Sequence, residues 1–135
     1  MVQYASAVRE NQNGVRHRAG ASEPQALLRP DAEPWLGRIA TGLREVMRLQ
    51  LLAALLHGER SVTELTQLLR RSQPSVSKHL RVLRDQQLVR TRRERNRVFY
   101  RIADDQPPGE AIIALLELLE RSLPERGRSG RRRNG

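Results

Sequence analysis

Between Ser72 and Leu83 the sequence SQPSVSKHLRVL combines small hydroxyl side chains with long cations at a spacing that suits one side of a helix. Val76, Leu80 and Leu83 recur at i, i+4 and i+7, the spacing of a buried helical face. The opposite side is predicted to carry Pro74, Ser75, Lys78 and Arg81, without a carboxylate. Short hydroxyls let a helix backbone approach a duplex, and long cations reach bases or phosphates. The stretch therefore predicts a helix that lies in the major groove of DNA, against the alternative of an ordinary amphipathic surface helix.

A second predicted helix precedes this one and would hold it in place. It covers residues 61–69, with either Ser61 or Thr63 as its N-cap, and Glu64 would complete a capping box with Ser61. Two arginines then form a short turn that leads to Ser72, which is predicted to cap the next helix. Two short helices joined by so tight a turn are typical of a helix-turn-helix.

After these helices the sequence changes to the period of a β-strand. Residues 88–93 and 97–102 flank a three-residue turn, in which Asn96 tolerates the positive φ of a tight hairpin. The tip of this predicted two-stranded ribbon carries Arg92, Arg93, Arg95 and Arg97. The four arginines indicate a contact with DNA beside the helix-turn-helix, and the alternative is a charged face exposed only to solvent.

The charge of the chain is concentrated in two segments. The whole chain has 25 basic and 15 acidic residues, but residues 70–101 alone carry +9, residues 121–135 carry +5, and the remainder sums to −4. Such basic blocks predict a polyanionic partner, because neutralised phosphates release their counterions. The chain has only one Trp, two Tyr and one Phe, which is too few to stack unpaired bases and favours duplex DNA over single strands or RNA.

The composition argues against several other classes of protein. Without cysteine, the chain has no disulfide and no thiolate metal site. The longest apolar runs, Leu51 to Leu56 and Ala111 to Leu116, are too short for a membrane span or a secretory signal, and no basic amphipathic helix suits a membrane surface. We therefore expect a cytoplasmic protein with no membrane contact and no cofactor. We expect no enzymatic activity either, because no nucleophile, base or metal site can be identified.

The length predicts one domain with two loose ends. Residues 1–30 lack a sustained apolar period and are predicted to be a disordered arm, with the alternative of a helix that docks on a partner subunit. Residues 31–123 are predicted to be the folded domain. Residues 124–135, rich in Arg, Gly and Ser, are predicted to be a flexible basic tail that strengthens binding to any duplex.

Two helices are predicted at the start of the folded domain. A short one is expected to bury Trp35, Leu36 and Ile39 and to be interrupted at Gly42. A core helix follows from Leu43 to His57, with Val46 among its buried residues, and Gly58 stands where a left-handed C-terminal cap belongs.

The last predicted helix, Glu110 to Leu123, has apolar residues over well more than half of its circumference. One small core cannot bury so wide a face, so the surplus predicts a subunit interface. The residues expected to mediate dimerisation are Ile112, Leu115, Leu116 and Leu119.

From about Leu43 to Leu119 the sequence resembles the ArsR/SmtB family of bacterial winged-helix repressors. The resemblance depends on SVTELTQLL, SQPSVSKHLRVLRDQQLV and RNRVFYRI in that order and at that spacing. It implies a mainly α fold with a two-stranded β-hairpin wing, a winged helix-turn-helix that forms a homodimer through its terminal helices. It also implies a transcriptional repressor that binds a palindromic operator in double-stranded DNA and is released by an effector. The DNA-binding residues indicated by the resemblance and by the patterns above are Arg71, Ser72, Gln73, Ser75, Ser77, Lys78, His79, Arg81, Arg92, Arg93, Arg95, Asn96 and Arg97.

The sequence departs from this family at its sensing sites. Thiolate sensors carry cysteines at the start of the first helix of the helix-turn-helix, where this chain has Ser61, Thr63 and Thr66, and hydroxyls are not soft ligands. The register of the family's other metal site falls on Asp104, Gln106, Glu117 and Glu120, so both of its histidines are replaced. We therefore expect no metal site, and the sequence does not identify an effector.

None of the three histidines is expected to read bases or to bind a metal. His79 flanks the apolar stripe of the second helix, so it is expected to pack or to face phosphates rather than to read bases. His17 and His57 have no second ligand at a metal-binding spacing and are expected to be plain polar residues.

A second functional hypothesis stays open at the level of sequence. A winged helix can serve as a protein-interaction module, for example in an antitoxin-like role, with its basic face against an acidic protein and without specific DNA binding. Titration with specific and random duplex distinguishes the two hypotheses, because the interaction module predicts no preference between them.

Overall fold

The structure is a computed structural model, and it describes residues 8–10, 12–14, 16–18 and 25–125. The chain forms two compact units, residues 1–33 and residues 34–135. In the first unit, strand β1 (Val8–Glu10) pairs antiparallel with strand β2 (Arg16–Arg18). Helix α1 (Gln25–Leu28) and a 3-10 turn (Pro30–Ala32) follow.

The hairpin of β1 and β2 falls in the segment for which the sequence predicts a disordered arm. The two strands pair through backbone groups, so they can form without a regular alternation of apolar and polar residues. The sequence therefore gives no sign of them. The arm and the basic tail stay predictions, because residues 1–7, 11, 15, 19–24 and 126–135 lie outside the described residues.

Helix α2 (Glu33–Leu43) continues through Gly42, where the sequence predicts an interruption. Gly42 is buried, and a Cβ atom built there would collide with a methyl group of Leu88 and would lie 3.6 Å from one of Leu83. The predicted break between the two helices therefore lies two residues later, at Arg44 and Glu45, and the glycine lets the helix backbone approach the core. Trp35, Leu36 and Ile39 are half-buried within the chain.

Helix α3 (Val46–Leu55) supplies the centre of the core through Leu51, Leu52 and Leu55. Val46 is 70% exposed, so the prediction that it faces the core is wrong. At about 100° per residue, Val46 lies on the side of the helix opposite these leucines. Gly58 beyond the helix has a φ of 150°, which is open to glycine but not to most side chains.

Helices α4 (Val62–Leu69) and α5 (Gln73–Asp85) form the predicted helix-turn-helix. Three residues connect them, and the first, Arg70, has a left-handed φ of 53° and ends α4. Leu65 of α4 and the apolar stripe of α5 are fully buried, so the core fixes how α5 is presented.

Side-chain caps define where both of these helices begin. The Oγ of Ser61 accepts a hydrogen bond from the backbone N–H of Glu64 at 3.2 Å, and the Glu64 carboxylate accepts one from the backbone N–H of Ser61 at 3.4 Å. This is the predicted capping box, with Ser61 rather than Thr63 as the cap. Ser72 caps α5, and proline occupies the first turn, where a missing N–H costs little.

The wing consists of strands β4 (Val89–Glu94) and β5 (Arg97–Ile102), which pair antiparallel. In the turn between them the positive φ of 54° belongs to Arg95, so its assignment to Asn96 is wrong. A third strand, β3 (Arg60–Ser61), pairs with β5 to give the order β3-β5-β4. The sequence does not predict β3, because two residues are too few to show an alternating pattern.

Helix α6 (Pro107–Ser122) begins before the predicted start at Glu110. The two prolines, read in the sequence as breakers, occupy its first turn, where their missing N–H groups cost no hydrogen bond. Gly109 follows them, and a Cβ atom there would overlap the backbone carbonyl of Ala103. The glycine therefore lets α6 pack against the segment that leaves the wing.

Two of the four residues predicted to mediate dimerisation belong to the protomer's own core. Ile112 is fully buried and Leu116 is 4% exposed, so neither is available to a partner and the prediction is wrong for both. Leu115 is half-buried and Leu119 is 43% exposed. The large apolar side chains that are exposed on α6 and at its end are Leu118, Leu119 and Leu123.

Candidate nucleic-acid interface

The outward side of α5 presents the surface of hydroxyl and cationic side chains that the sequence predicts. The apolar stripe of the helix, Val76, Leu80 and Leu83, has no exposed surface. Pro74, Ser77, Lys78 and Arg81 line one shallow depression, and all four are exposed. Gln73 is also exposed at the start of the helix, and Arg71 in the turn before it. The helix thus turns a positive face toward solvent, and its one carboxylate is that of Asp85, the exposed last residue of the helix.

Two of the hydroxyls predicted to bind DNA make contacts within the protein. The Oγ of Ser72 accepts the backbone N–H of Ser75 at 3.4 Å as the helix cap. The Oγ of Ser75 donates to the Sδ of Met47 at 3.6 Å, and Ser75 is half-buried. Its predicted outward orientation is wrong, because it sits at the edge of the apolar stripe against α3.

His79 is also engaged by the protein. Its Nδ1 lies 3.4 Å from Nη1 of Arg48, and the ring is half-buried. Burial and then the positive charge of Arg48 lower the pKa of His79, whereas the carboxylate of Glu45 raises it and the charge of Lys78 lowers it further. The ring is therefore neutral near pH 7, and the contact favours the packing role over a contact with bases.

Arg48, which sequence analysis did not single out, is the buried cation behind this site, with 7% of its surface exposed. Its guanidinium donates to the carbonyl oxygen of Thr41 at 2.8 and 3.1 Å and to that of Gly42 at 3.3 Å. Both carbonyls belong to the last turn of α2, where the helix dipole favours a cation. One feature of the sequence could have drawn attention to Arg48. It is a single arginine within an otherwise apolar helix, and it lies a few residues after the end of the preceding helix.

The outer face of the wing is largely neutralised by ion pairs. The pairing register places Arg90 beside Arg101, and Arg92 beside Phe99, on the same face. Arg90 donates to both carboxylate oxygens of Asp105 at 2.8 and 2.7 Å, which lowers the pKa of that carboxyl. Arg101 pairs with Asp104 at 3.1 Å.

Among the wing arginines, Arg92 makes the largest number of hydrogen bonds to carboxylates. Its guanidinium bonds Glu59 at 2.5 to 3.2 Å and Glu94 at 2.6 Å, and it lies 4.7 Å from the centre of the Phe99 ring. The hydrogen bonds lower the pKa of Glu59 and raise that of Arg92. The prediction that Arg92 binds DNA is weakened, because Glu59 and Glu94 already occupy its donors.

The tip of the wing keeps its charge. Arg93, Arg95, Asn96 and Arg97 are exposed, and among the described residues none of these three arginines lies in an ion pair. The depression at the tip is lined by Glu94, Arg95, Asn96, Arg97 and Phe99. Three guanidinium groups without ion pairs, one in the two-residue turn and two in the strands beside it, suit phosphates or the minor groove.

The acids at the family's metal register are separate or paired. Asp104 pairs with Arg101, and Glu120 lies 3.8 Å from Nε2 of His57. Within residues 8–10, 12–14, 16–18 and 25–125, no three His, Asp or Glu side chains lie together in a way that would hold a metal ion.

No helix in the described part of the chain is both long and apolar enough to cross a membrane.

Comparison with known proteins links this geometry to one group of regulators. Residues 46–91 match the profile described as bacterial regulatory protein, arsR family. The chain is 42% identical over 78 residues to the biofilm growth-associated repressor of Agrobacterium fabrum, covering 56% of this chain and 67% of that protein. It is 43% identical over 74 residues to the transcriptional activator HlyU of Vibrio cholerae, covering 55% of this chain and 64% of that protein.

Solved structures that resemble this one come from similar regulators. The structure of HlyU from Vibrio cholerae superimposes with a TM-score of 0.62 at 35% identity, covering 67% of this chain and 97% of that one. A homodimeric winged helix-turn-helix DNA-binding domain from Mycobacterium bovis superimposes with a TM-score of 0.55 at 32% identity, covering 76% of this chain and 86% of that one.

Proposed function

This chain belongs to the ArsR family of bacterial regulatory proteins, and we propose that it is a sequence-specific DNA-binding regulator that acts as a homodimer on a palindromic operator. The observation that carries the proposal is the outward face of α5. Ser77, Lys78 and Arg81 are exposed there on the second helix of a helix-turn-helix. In proteins of this architecture the N-terminal part of that helix contacts base edges in the major groove.

The wing supplies a second, sequence-independent contact in this proposal. Arg93, Arg95 and Arg97 are exposed and have no ion pair among the described residues. Their charges are therefore available to phosphates or to the minor groove beside the half-site that α5 reads. Arg92 is left out of this contact, because Glu59 and Glu94 hold it.

The homodimer is supported by α6 and by the Mycobacterium bovis neighbour, which is described as homodimeric. Leu118, Leu119 and Leu123 expose 42%, 43% and 69% of their surface on one protomer. Burying these leucines against a second copy removes apolar surface from water. A two-fold axis through that interface presents two copies of α5 to half-sites about one helical turn, 34 to 36 Å, apart.

We propose repression as the outcome of binding, by analogy with the relative named as a repressor. The Vibrio cholerae relative is named as an activator, so the direction of regulation is a separate question from DNA binding. Release by an effector remains part of the proposal, and such a regulator works in the bacterial cytoplasm, where the operator lies.

The test is a selection of bound duplexes from a random-sequence pool, followed by gel-shift titration at physiological salt. We expect an enriched motif with two-fold symmetry, and binding at least about a thousandfold tighter than to random duplex. Equal affinity for enriched and random duplex would instead support the interaction-module hypothesis.

A further inference from the structure

Arg48 joins three helices behind the DNA-facing side of α5. The residue lies in α3, donates to the last carbonyls of α2 at Thr41 and Gly42, and reaches His79 of α5. No carboxylate lies within 4.0 Å of it among the described residues, so neutral acceptors alone satisfy this buried cation. Losing one acceptor therefore leaves a buried donor unpaired, which is costly.

The bond to His79 exists only while the imidazole is neutral. Nδ1 must carry a lone pair to accept from Arg48, which places the ring proton on Nε2. A protonated ring donates from both nitrogens, so it cannot accept, and it would put a second positive charge 3.4 Å from the guanidinium. Protonation thus replaces an attraction between α3 and α5 with a repulsion.

The charged groups around His79 favour two alternative arrangements. Arg48 from α3 and Lys78 from α5 favour the neutral ring, whereas Glu45, from the junction between α2 and α3, favours the protonated ring. A neutral ring bonds Arg48, and a protonated ring is drawn away from Arg48 toward Glu45. Because His79 directly follows Lys78 in α5, any shift of the helix that accompanies loss of this bond would displace the face that α5 offers to DNA.

We infer that Arg48 positions the recognition helix through His79, and that protonation of His79 breaks this link, so that the proton acts as an effector of operator binding. The inference rests on the proposed function for its consequence, but not for the link itself. It also has a distinctive sign. Protonation of a histidine near DNA adds a positive charge, which by itself would strengthen binding at low pH. Loss of the link between Arg48 and His79 instead weakens binding to the specific duplex at low pH.

The link is tested first without DNA, on the full chain, by nitrogen-15 NMR of the histidine side chains between pH 5 and pH 8. We expect the Nε2–H tautomer of His79 at pH 8, protonation of the ring below its ordinary pH range, and movement of the α5 amide signals as the ring protonates. The Nδ1–H tautomer, or α5 signals that do not follow the titration, would overturn the inference whatever the protein binds.

The consequence is then measured as affinity for the selected duplex and for a scrambled one between pH 7.5 and pH 5.5. Because the pKa of His79 lies below its ordinary value, we expect the ratio of the two affinities to fall by less than tenfold by pH 5.5. The fall should approach about tenfold, the order of one hydrogen bond to a charged group, only where the ring is fully protonated. The His79→Asn variant should keep its ratio across this range, because an amide oxygen near the position of Nδ1 accepts from Arg48 and does not titrate. Substitution of the exposed His57 by Gln is the matched control and should leave the wild-type fall in place.

Equal pH dependence in wild-type and His79→Asn protein would overturn the inference even if specific binding at pH 7.5 is normal. Arg48→Lys keeps the charge but cannot bond two carbonyls and a ring together, so it should weaken specific binding at every pH. If that variant does not fold, the His79→Asn comparison still decides the matter.

Discussion

At the scale of single residues, ion pairing divides the arginines of the wing into paired and unpaired ones. The sequence places four arginines at the tip of the wing, yet Arg92 is bonded to Glu59, a residue 33 positions earlier. This partner could not be predicted, because β3, which brings Glu59 beside the wing, has no sequence signature. The face of α5 could be predicted, because its apolar stripe follows a helical period. The turning inward of Ser75 could not, and neither could the partner of His79, because Met47 and Arg48 lie in another helix.

The first prediction separates an unpaired wing arginine from a paired one. Arg95→Asn should lower the slope of log affinity against log salt by about one, because one phosphate contact is lost. Asparagine tolerates the φ of 54° at this position, so the turn is kept. Arg92→Gln is the control that should leave the slope unchanged, since the slope counts phosphate contacts and Arg92 is held by two carboxylates. Equal losses of slope in both variants would show that the ion pairs do not withhold Arg92 from DNA.

At the scale of elements, most helices and the wing could be predicted, but not what their glycines and prolines do. The residues Pro107, Pro108 and Gly109 read as a break, although they form the first turn of α6. Gly42 likewise reads as an interruption, although it lies at a close contact between α2 and Leu88. The two glycines mislead because a sequence shows that a residue weakens a helix in isolation, but not that the core requires a backbone to approach there. The prolines mislead because a missing N–H costs a hydrogen bond inside a helix but not in its first turn.

The second prediction compares the same substitution at two helical glycines. Gly109→Ala should lower the free energy of unfolding by about 1–3 kcal/mol, because its Cβ would overlap the backbone carbonyl of Ala103, which cannot turn aside like a side chain. Gly37→Ala in α2 should raise it by up to about 1 kcal/mol, since nothing lies within 4 Å of its Cβ and alanine favours a helix. Urea unfolding of the two variants measures both effects. A Gly109→Ala protein as stable as the Gly37→Ala protein would contradict the packing described for α6.

At the scale of the whole molecule, the surplus apolar surface of α6 could be predicted, but its division between core and interface could not. Ile112 and Leu116 face the protomer's own core, and Leu118, Leu119 and Leu123 remain exposed. A helix that is apolar over more than half its circumference does not show in sequence which side the core takes. The division matters because a two-fold assembly is what would bring two recognition helices onto one operator.

The third prediction compares an exposed leucine of α6, Leu119, with a buried one, Leu116. Leu119→Glu should convert the proposed dimer to a monomer, because a carboxylate cannot be buried unpaired in an apolar interface. The protomer should stay folded, since Leu119 is 43% exposed within it. Leu116→Ala should instead lower the free energy of unfolding by about 2–5 kcal/mol, because that side chain is 96% buried in the protomer core. Light scattering coupled to chromatography gives the mass, and urea unfolding gives the stability. A dimeric Leu119→Glu protein would place the interface elsewhere.

The central claim is that the outward face of α5 reads bases from a symmetric pair of half-sites. Its most direct measurement is to repeat the duplex selection with Lys78→Ala and with Arg84→Ala, which removes a positive charge from the exposed last turn of the same helix. We expect Lys78→Ala to lose base preference at the same position of both half-sites, costing about 1–3 kcal/mol there, while Arg84→Ala recovers the wild-type motif. A Lys78→Ala motif identical to the wild type, or a wild-type selection that enriches no sequence, would contradict the claim.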